Sequence, residues 1–301
     1  MKVLITGATG LIGGEIVRQC LQKNWTVHYL TRSQDNIETK ENYKGFLWNV
    51  DKQEIDIDCF SGVNKIINLV GAPITERWTD DNKAEILSSR VDSLKLLRKS
   101  IKKTTTDIDQ IISASAIGVY PSSLTNYYKE SNERESETYL GEVVEKWENE
   151  VDKFDSLGIK TTKIRIGLVL SEKDGALPKI SKPIRYYGGA AFGSGEQWQS
   201  WIHLEDLARI FLFVAEHSIS GVYNGVAPNP VTNETLTKEI ANVLDKPLLL
   251  PNIPKIFMKV ALGEMHIILF ESQRVSSEKI ESEGFNFNYP NLHPALVDLL
   301  K

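Results

Sequence analysis

The chain has few cysteines and no long apolar run, and both absences narrow its class. Only Cys20 and Cys59 occur among 301 residues, so there is no disulfide framework and no cysteine–histidine spacing typical of a metal site. The apolar stretches near 210–215 and 256–270 are too short, or too often interrupted by polar residues, to span a bilayer. The N-terminus lacks a signal-peptide pattern, because its opening apolar run ends almost at once. We therefore expect a cytoplasmic protein that has no metal and no membrane partner.

A strong charge of one sign is also missing. The 35 Lys and Arg residues are spread among 40 Asp and Glu residues, which leaves a net charge of −5. No basic stripe favours a nucleic-acid partner. The 41% hydrophobic and 25% charged residues are ordinary for a globular protein. The length suits one large or two small domains and a sizeable core.

The first two thirds of the chain alternate between strand-like and helix-like segments. The pattern predicts strands at residues 2–6, 26–31, 65–70, 110–115 and 160–170, and helices at 11–23, 80–102 and 139–157. Such alternation is typical of βα units that build a parallel sheet. The sequence therefore predicts an α/β protein with a Rossmann fold, a doubly wound parallel sheet.

The composition changes after about residue 171, where prolines and glycines mark loops, and segment 232–301 predicts short helices joined by proline-containing turns. We predict a dinucleotide-binding domain over 1–170, with a return segment at about 204–225. The remaining segments, 171–203 and 226–301, would form a smaller, mostly helical domain on the substrate side.

A glycine-rich turn follows the first predicted strand and opens the first predicted helix. Gly7, Gly10 and Gly13 are spaced three and three, as a dinucleotide turn requires: the chain turns tightly, the pyrophosphate approaches the backbone, and the helix packs close to the strand. The helix N-terminus then offers free N–H groups to the phosphates. The predicted cofactor contacts in this turn are Gly7, Thr9, Gly10, Leu11, Ile12 and Gly13. A purely structural glycine turn is the alternative.

The end of the second predicted strand indicates which dinucleotide is bound. An acidic residue there would hold the ribose 2′-hydroxyl of NAD, but the chain has Thr31 and Arg32 followed by Ser33. A guanidinium can pair with a 2′-phosphate, and the flanking hydroxyls can assist. We therefore predict NADP(H) as the cofactor; a solvated surface arginine is the alternative interpretation of Arg32.

These residues resemble the extended short-chain dehydrogenase/reductase superfamily, and further stretches narrow the resemblance to one atypical branch. That branch consists of epimerase-family oxidoreductases with a nucleoside-diphosphate-sugar epimerase-like body and a small C-terminal domain of unknown function. The stretches that carry the resemblance lie along the whole chain, at 68–74 (NLVGAPI), 77–78 (RW), 89–90 (SR), 113–118 (SASAIG), 201–203 (WIH), 227–233 (APNPVTN), 262–265 (LGEM) and 273–275 (QRV).

The resemblance implies more cofactor contacts than the glycine turn supplies. Those implied are Asn68, Leu69 and Val70 at the end of the predicted strand 65–70, Glu85 and Arg90 on the following helix, and the backbone of Leu168, near the nicotinamide. From the residues alone, Glu85 and Arg90 could equally be an exposed pair on a solvated helix face. Many extended members of the superfamily are dimers, so the resemblance also implies a homodimer.

Catalysis in the superfamily uses a Ser or Thr, a Tyr and a Lys four residues after the Tyr. Ser115 and Tyr139 match the first two, so both are candidate catalytic residues. The lysine position holds Val143, which removes the usual cation that lowers the tyrosine pKa. Lys146 lies two turns from Tyr139, but pairing with Glu142 on the surface is its simpler role. Tyr139 as a packing aromatic and Ser115 as a strand-end hydrogen bonder remain alternatives.

Three functions are compatible with this sequence. The first is an NADP(H)-dependent oxidoreductase or epimerase that acts on a hydroxyl or carbonyl group of a small molecule, with a nucleotide sugar as one candidate. The second is a non-catalytic NADP(H)-binding sensor, which Val143 favours. The third is a sugar-nucleotide binding module without redox function. Arg185, Trp198 and Trp201 could face such a sugar nucleotide, although core packing is the commoner role of tryptophan.

Overall fold

The computed structural model describes residues 1–132 and 136–301. Its strands in chain order are β1 (Lys2–Thr6), β2 (Thr26–Thr31), β3 (Thr39–Lys40), β4 (Tyr43–Asn49), β5 (Glu54–Ile55), β6 (Lys65–Asn68), β7 (Gln110–Ala116), β8 (Tyr127–Tyr128), β9 (Lys160–Ile166), β10 (Leu168–Leu170), β11 (Trp198–Gln199), β12 (Trp201–His203), β13 (Gly221–Gly225), β14 (Val231–Thr232) and β15 (Arg274–Val275). Its α-helices are α1 (Leu11–Gln22), α2 (Asp80–Ile101), α3 (Tyr139–Asp152), α4 (Ala176–Arg185), α5 (Leu204–His217), α6 (Asn233–Val243), α7 (Lys255–Leu262), α8 (Glu278–Ser282) and α9 (Leu292–Leu300). Short 3-10 helices lie at Gln34–Asn36, Ile57–Phe60, Ile117–Val119, Asp155–Leu157 and Gly263–Leu269.

The central sheet has the order β13-β9-β7-β6-β1-β2-β4, and every neighbouring pair in this series is parallel. The short strands β3 and β5 add antiparallel pairs to β4. The order reverses direction between β1 and β6, which is the point where doubly wound sheets open a crevice at the carboxyl ends of their strands. The predicted fold class, a Rossmann-type parallel sheet, is confirmed.

The buried core lies between this sheet and its helices. Helix α1 packs against α5, and α2 packs against α3. The strands contribute continuous apolar runs, such as Val3, Leu4 and Ile5 in β1, all with no exposed surface, as expected for parallel strands that are covered on both faces. Threonine side chains cap α2 and α3, where Thr79 accepts from the N–H of Asn82 and Thr138 from that of Gly141.

A second apolar cluster forms in the C-terminal part of the chain, around Leu177, Trp201, Leu236 and Leu296. Helices α4, α6 and α9 contribute to it. The return segment behaves differently: α5 packs on α1 and β13 pairs with β9 in the main sheet. The division into two domains at residues 170, 204 and 225 stays a prediction. Within the described residues, no helix is long and apolar enough to cross a membrane.

Some predicted elements differ from the structure. The helix expected over 139–157 ends at Asp152, and the strand expected over 65–70 ends at Asn68. The single strand expected over 160–170 is interrupted at Gly167, where a Cβ would lie 2.1 Å from the carbonyl oxygen of Ser200. As a result, β9 stays in the main sheet while β10 pairs with β12 in a separate two-stranded sheet. Strand β4 was not among the predicted strands, although it is the third strand of the parallel sheet in chain order.

A buried ion pair joins α3 to the main sheet. Glu148 accepts two hydrogen bonds from Arg165 of β9, at 2.8 Å from Nε and 2.8 Å from Nη2, and both side chains are buried. Burial alone would raise the pKa of Glu148, but the hydrogen bonds and charge of Arg165 hold it below its ordinary value. This pair fixes the face of α3 that meets β9.

We expect Glu148→Ala to lower the free energy of unfolding by about 3–5 kcal/mol, because it leaves the Arg165 charge buried and unpaired. Glu142→Ala on the same helix is the matched control. Glu142 is exposed and pairs with Lys146 at 2.5 Å, so its removal should cost at most about 0.5 kcal/mol. Urea unfolding followed by circular dichroism measures both; equal losses in the two variants would contradict a structural role for the Glu148–Arg165 pair.

Candidate functional site

A cavity of about 1000 Å³ opens at the carboxyl ends of β1, β2, β4 and β6. It is lined by Gly7, Thr9, Gly10, Leu30, Thr31, Arg32, Ser33, Asn36, Trp48, Val50, Asp51, Gln53, Leu69, Val70, Gly71, Ala72, Pro73, Glu85, Ser88, Ser89 and Asp92. Eight of the predicted cofactor residues are in this lining: Gly7, Thr9, Gly10, Thr31, Arg32, Leu69, Val70 and Glu85. The structure therefore brings the glycine turn, the end of β2 and the start of α2 together around one space.

The glycine turn holds the N-terminus of α1 against the end of β1. Gly7 has a φ of +72°, and a Cβ on Gly13 would lie 2.1 Å from the Gly7 carbonyl oxygen, so neither position accepts a side chain without a shift of the backbone. Gly10 is the N-cap of α1, no side chain caps the helix there, and no acidic residue lies in its first turn. The N–H groups and the positive end of the helix dipole are thus available at the cavity.

Arg32 lies at the opposite wall of the cavity, just after β2. It is exposed, and no carboxylate of the described residues pairs with it. Thr31 is buried, and its Oγ1 accepts a hydrogen bond of 3.3 Å from the N–H of Ser33. This interaction turns the chain after β2 and keeps the Ser33 side chain at the cavity wall.

Four predicted cofactor residues are not among the residues that line the cavity. Leu11, Ile12 and Gly13 belong to the first turn of α1. Asn68 is fully buried at the end of β6, where it accepts from Thr6 Oγ1 at 2.8 Å and donates to Ser113 Oγ at 3.0 Å. The Asn68 amide thus holds three neighbouring strands together, and its side chain is committed to the sheet.

Arg90 is mostly buried below the cavity wall, so the alternative of an exposed pair with Glu85 is wrong. Its Nη1 donates to the carbonyl oxygens of Ala72 at 3.2 Å and Ile86 at 2.8 Å. The guanidinium also lies 5.2 Å from the ring centroid of Trp147 on α3. Burial lowers the pKa of Arg90 to about 10. This cation orders the loop that follows β6.

Leu168 begins β10 and is also outside the cavity. Its N–H donates to the carbonyl oxygen of Ser200 at 2.8 Å, and its side chain packs against the second apolar cluster. The predicted backbone contact with a cofactor therefore cannot use the Leu168 N–H while β10 and β12 remain paired.

Several lining residues were missed by the sequence analysis, chiefly Trp48, Val50, Asp51 and Gln53, which lie at or just after the end of β4. Alternation in Tyr43–Asn49, with Phe46 and Trp48 buried, was the available signal. Once β4 is recognised as the strand beside β2, its carboxyl end must reach the same edge of the sheet. Ser88, Ser89 and Asp92 extend the lining along α2.

The role of Ser115 in orienting a substrate oxygen stays a prediction, and in this structure the side chain has another partner. Its hydroxyl is buried and donates to Glu148 Oε1 at 2.5 Å, so it belongs to the ion pair with Arg165. Arg165 Nη1 in turn donates to Tyr120 Oη at 3.1 Å, and Tyr120 donates to Asn224 at 2.8 Å. The Ser115 side chain thus points into the protein towards α3. This direction agrees with the alternative interpretation, in which Ser115 makes a hydrogen bond at the end of a strand.

Tyr139 begins α3 and is half-buried, with Trp78 packed edge-on at a centroid distance of 5.2 Å. Its hydroxyl donates to the Lys83 carbonyl oxygen at 2.7 Å. Burial raises the pKa of Tyr139, and the charge of Arg90 opposes that rise without reversing it. Val143, at the position of the family's lysine, is buried, and Lys146 pairs with Glu142 on the surface. No cation therefore takes the place of the missing lysine within hydrogen-bond reach of Tyr139 in the described chain.

We expect the phenol of Tyr139 to titrate above its ordinary value of about 10. Arg90→Met should raise this pKa further, because the cation that favours the phenolate is removed. The measurement is the phenolate difference spectrum of each protein against its own Tyr139→Phe derivative. An unchanged or lower Tyr139 pKa in Arg90→Met would show that the two groups do not interact.

Comparison with known proteins finds two family models that match this chain. Residues 3–225 match the NAD dependent epimerase/dehydratase family, and residues 253–299 match a domain of unknown function, DUF1731. The epimerase family protein YfhF of Bacillus subtilis is 34% identical over 302 residues, which cover 100% of this chain and 98% of that protein.

Solved structures agree with the sequence relatives. The crystal structure of the human epimerase family protein SDR39U1 (isoform 2) with NADPH superposes with a TM-score of 0.86 at 27% identity, over 99% of both chains. A nucleoside-diphosphate sugar epimerase from Corynebacterium glutamicum gives a TM-score of 0.79 at 27% identity, over 100% of this chain and 58% of that one. The expected resemblance is thus confirmed over the whole length, and the chain belongs to the NAD dependent epimerase/dehydratase family, with a C-terminal DUF1731 domain.

Proposed function

We propose that the chain binds NADP(H) in the cavity at the carboxyl ends of β1, β2, β4 and β6, and uses it as an oxidoreductase or epimerase on a small molecule. The reacting group would be a hydroxyl or carbonyl, with nucleotide sugars as the first class to test. One observation carries the proposal: a single cavity joins the N-terminus of α1, which no side chain caps, to Arg32 at the end of β2, which pairs with no carboxylate of the described residues.

The cavity fits the phosphates of a dinucleotide. The tight approach of Gly13 to Gly7 leaves room at Gly10 for a pyrophosphate against the backbone, and the α1 N–H groups are ready-made donors for it. No acidic residue in the first helical turn competes with the anion. Thr9 lies beside the same space and can add a hydroxyl donor.

The end of β2 favours NADP(H) over NAD(H). Arg32 would pair with the 2′-phosphate, and the hydroxyl of Ser33 lies on the same wall. Asp51, at the end of β4, supplies a carboxylate acceptor suited to an exocyclic amino group such as that of adenine. The human relative was crystallised with NADPH, which supports the same choice of cofactor.

The bound dinucleotide would supply or accept a hydride. Among this chain's own groups, Tyr139 is the candidate for moving a proton to or from the substrate oxygen, once its hydroxyl leaves the Lys83 carbonyl. Arg90 would assist by placing a positive charge near that phenol. Ser115 takes no part in this scheme, because its hydroxyl is bound to Glu148.

A non-catalytic NADP(H)-binding protein is the second candidate function. It is favoured by the buried Val143 at the lysine position and by the raised pKa of Tyr139. Both candidates need the same cofactor cavity, so hydride transfer, and not cofactor binding, separates them.

We expect Arg32→Leu to weaken NADPH binding about ten- to a hundredfold, because one charge-assisted hydrogen-bonded pair is worth about 1.5–3 kcal/mol. NADH, which has no 2′-phosphate, should bind the variant about as well as it binds the parent protein. Titration calorimetry with both dinucleotides measures this, and Arg18→Leu, an exposed arginine on α1 that pairs with Glu15, is the control. A parent protein that prefers NADH would overturn the choice of cofactor.

Single-turnover experiments test the enzyme directly. NADPH-loaded protein is mixed with a library of carbonyl compounds, and the loss of reduced-nicotinamide absorbance is followed. NADP⁺-loaded protein is mixed with nucleotide sugars and other hydroxyl compounds, and the appearance of the same absorbance is followed. With an accepted substrate, Tyr139→Phe should slow the hydride step by about 10²–10⁴-fold, since it removes the proton-transfer group. Tyr186→Phe, a highly exposed tyrosine outside the site, should react like the parent. Unchanged turnover in Tyr139→Phe would exclude the phenol from the mechanism, and no turnover with any compound would favour the non-catalytic candidate.

A further inference from the structure

A guanidinium near two aromatic rings lies outside the residues that line the cofactor cavity. Arg274 of β15 has its Cζ 4.5 Å from the ring centroid of Trp198 and 5.0 Å from that of Tyr127. The register of β15 and β8 places Arg274 directly beside Tyr127. Trp198 is fixed in turn, because its Nε1 donates to the Leu124 carbonyl oxygen at 3.0 Å. We call these three residues the arginine clamp.

Arg274 has no anionic partner among the residues that the structure describes. Throughout residues 1–132 and 136–301, no carboxylate pairs with it and no acceptor takes a hydrogen bond from it, and its Nε is buried without a partner. The carboxylate nearest in sequence, Glu271, instead accepts a hydrogen bond of 3.2 Å from Gln273. Arg274 keeps partial exposure, so the Nη edge of the guanidinium remains available to a ligand.

The arginine clamp is joined through Ser200 to the start of β10. Ser200 Oγ donates to the Gln273 carbonyl oxygen at 2.8 Å and accepts from the Val275 N–H at 2.9 Å, so it holds the backbone on both sides of Arg274. The carbonyl oxygen of the same serine accepts the N–H of Leu168, the residue that the family resemblance places near the nicotinamide.

We propose that the arginine clamp is the subsite for an anionic group of the substrate, a phosphate or a carboxylate. A guanidinium presents its donors as a planar fork that matches either oxyanion. The cation–π contacts with Trp198 and Tyr127 hold the guanidinium in place before an anion arrives. This inference rests on the proposed function for the identity of the ligand as the substrate, whereas anion binding itself does not depend on hydride transfer.

Matched pairs of charged and neutral probes test the subsite on the NADPH-loaded protein. UDP against uridine reports on phosphate, and glucuronate against glucose reports on carboxylate, each by titration calorimetry. We expect the parent protein to prefer at least one charged probe over its neutral counterpart. Arg274→Met should weaken binding of that probe about ten- to a hundredfold, as expected for loss of a charge-assisted pair, and should leave the neutral probe unaffected.

Two further variants keep the test independent of folding. Arg274→Lys preserves the charge but not the fork and should bind the anion with intermediate affinity, while Arg18→Met, an exposed arginine on α1, should bind it like the parent. NADPH affinity, measured first on every variant, should be unchanged, because Arg274 is not among the residues that line the cofactor cavity.

The outcomes separate this inference from the proposed function. A parent protein that binds neither anion more tightly than its neutral counterpart, or an Arg274→Met variant with parental affinity, overturns the subsite even if NADPH binds. Failure of NADPH to bind overturns the proposed function alone, since the same anion titrations on the cofactor-free protein still decide the role of Arg274.

Discussion

The close backbone contact between the start of α1 and the turn after β1 is the constraint on which the cleft depends. With no side chain at Gly7 or Gly13, the helix starts directly beside the carboxyl end of the central strand, and its unsatisfied N–H groups face the space where the strand order reverses. The neighbouring strands β2 and β4 then add their own ends to the same edge. Any side chain that pushed α1 away would widen the cleft and turn those donors aside.

Polar groups in the interior hold α3 against the main sheet. Ser115, Glu148 and Arg165 link β7, α3 and β9, and Arg165 extends the chain of hydrogen bonds to Tyr120. Positions that catalyse in related folds are here used for internal support, at Ser115, or are apolar, at Val143. The chain keeps the fold of its family, but Val143 stands where the family resemblance implies a lysine.

Local patterns made the fold and half of the site predictable. The glycine turn and the arginine after β2 are read from a few adjacent residues, and the structure places both on the same cavity. Side-chain direction was harder to predict: neighbours along a strand point to opposite faces, and no local pattern indicated that the Ser115 hydroxyl would meet Glu148 of α3. The contribution of β4 had a local signal in the alternation of Tyr43–Asn49, whereas that of Arg274 depends on segments far apart in sequence, whose proximity no local pattern reveals.

The break at Gly167 has a consequence for how this scaffold can vary. One continuous stretch of chain passes from the main sheet to the small β10–β12 sheet at a residue where even a methyl group would overlap the Ser200 carbonyl and crowd Val226. Gly167, where the chain passes from one sheet to the other, thus does not accept a side chain. A change of specificity, whether evolved or engineered, has to come from substitutions in the loops that follow Gly167. A substitution at Gly167 itself would disturb both sheets together.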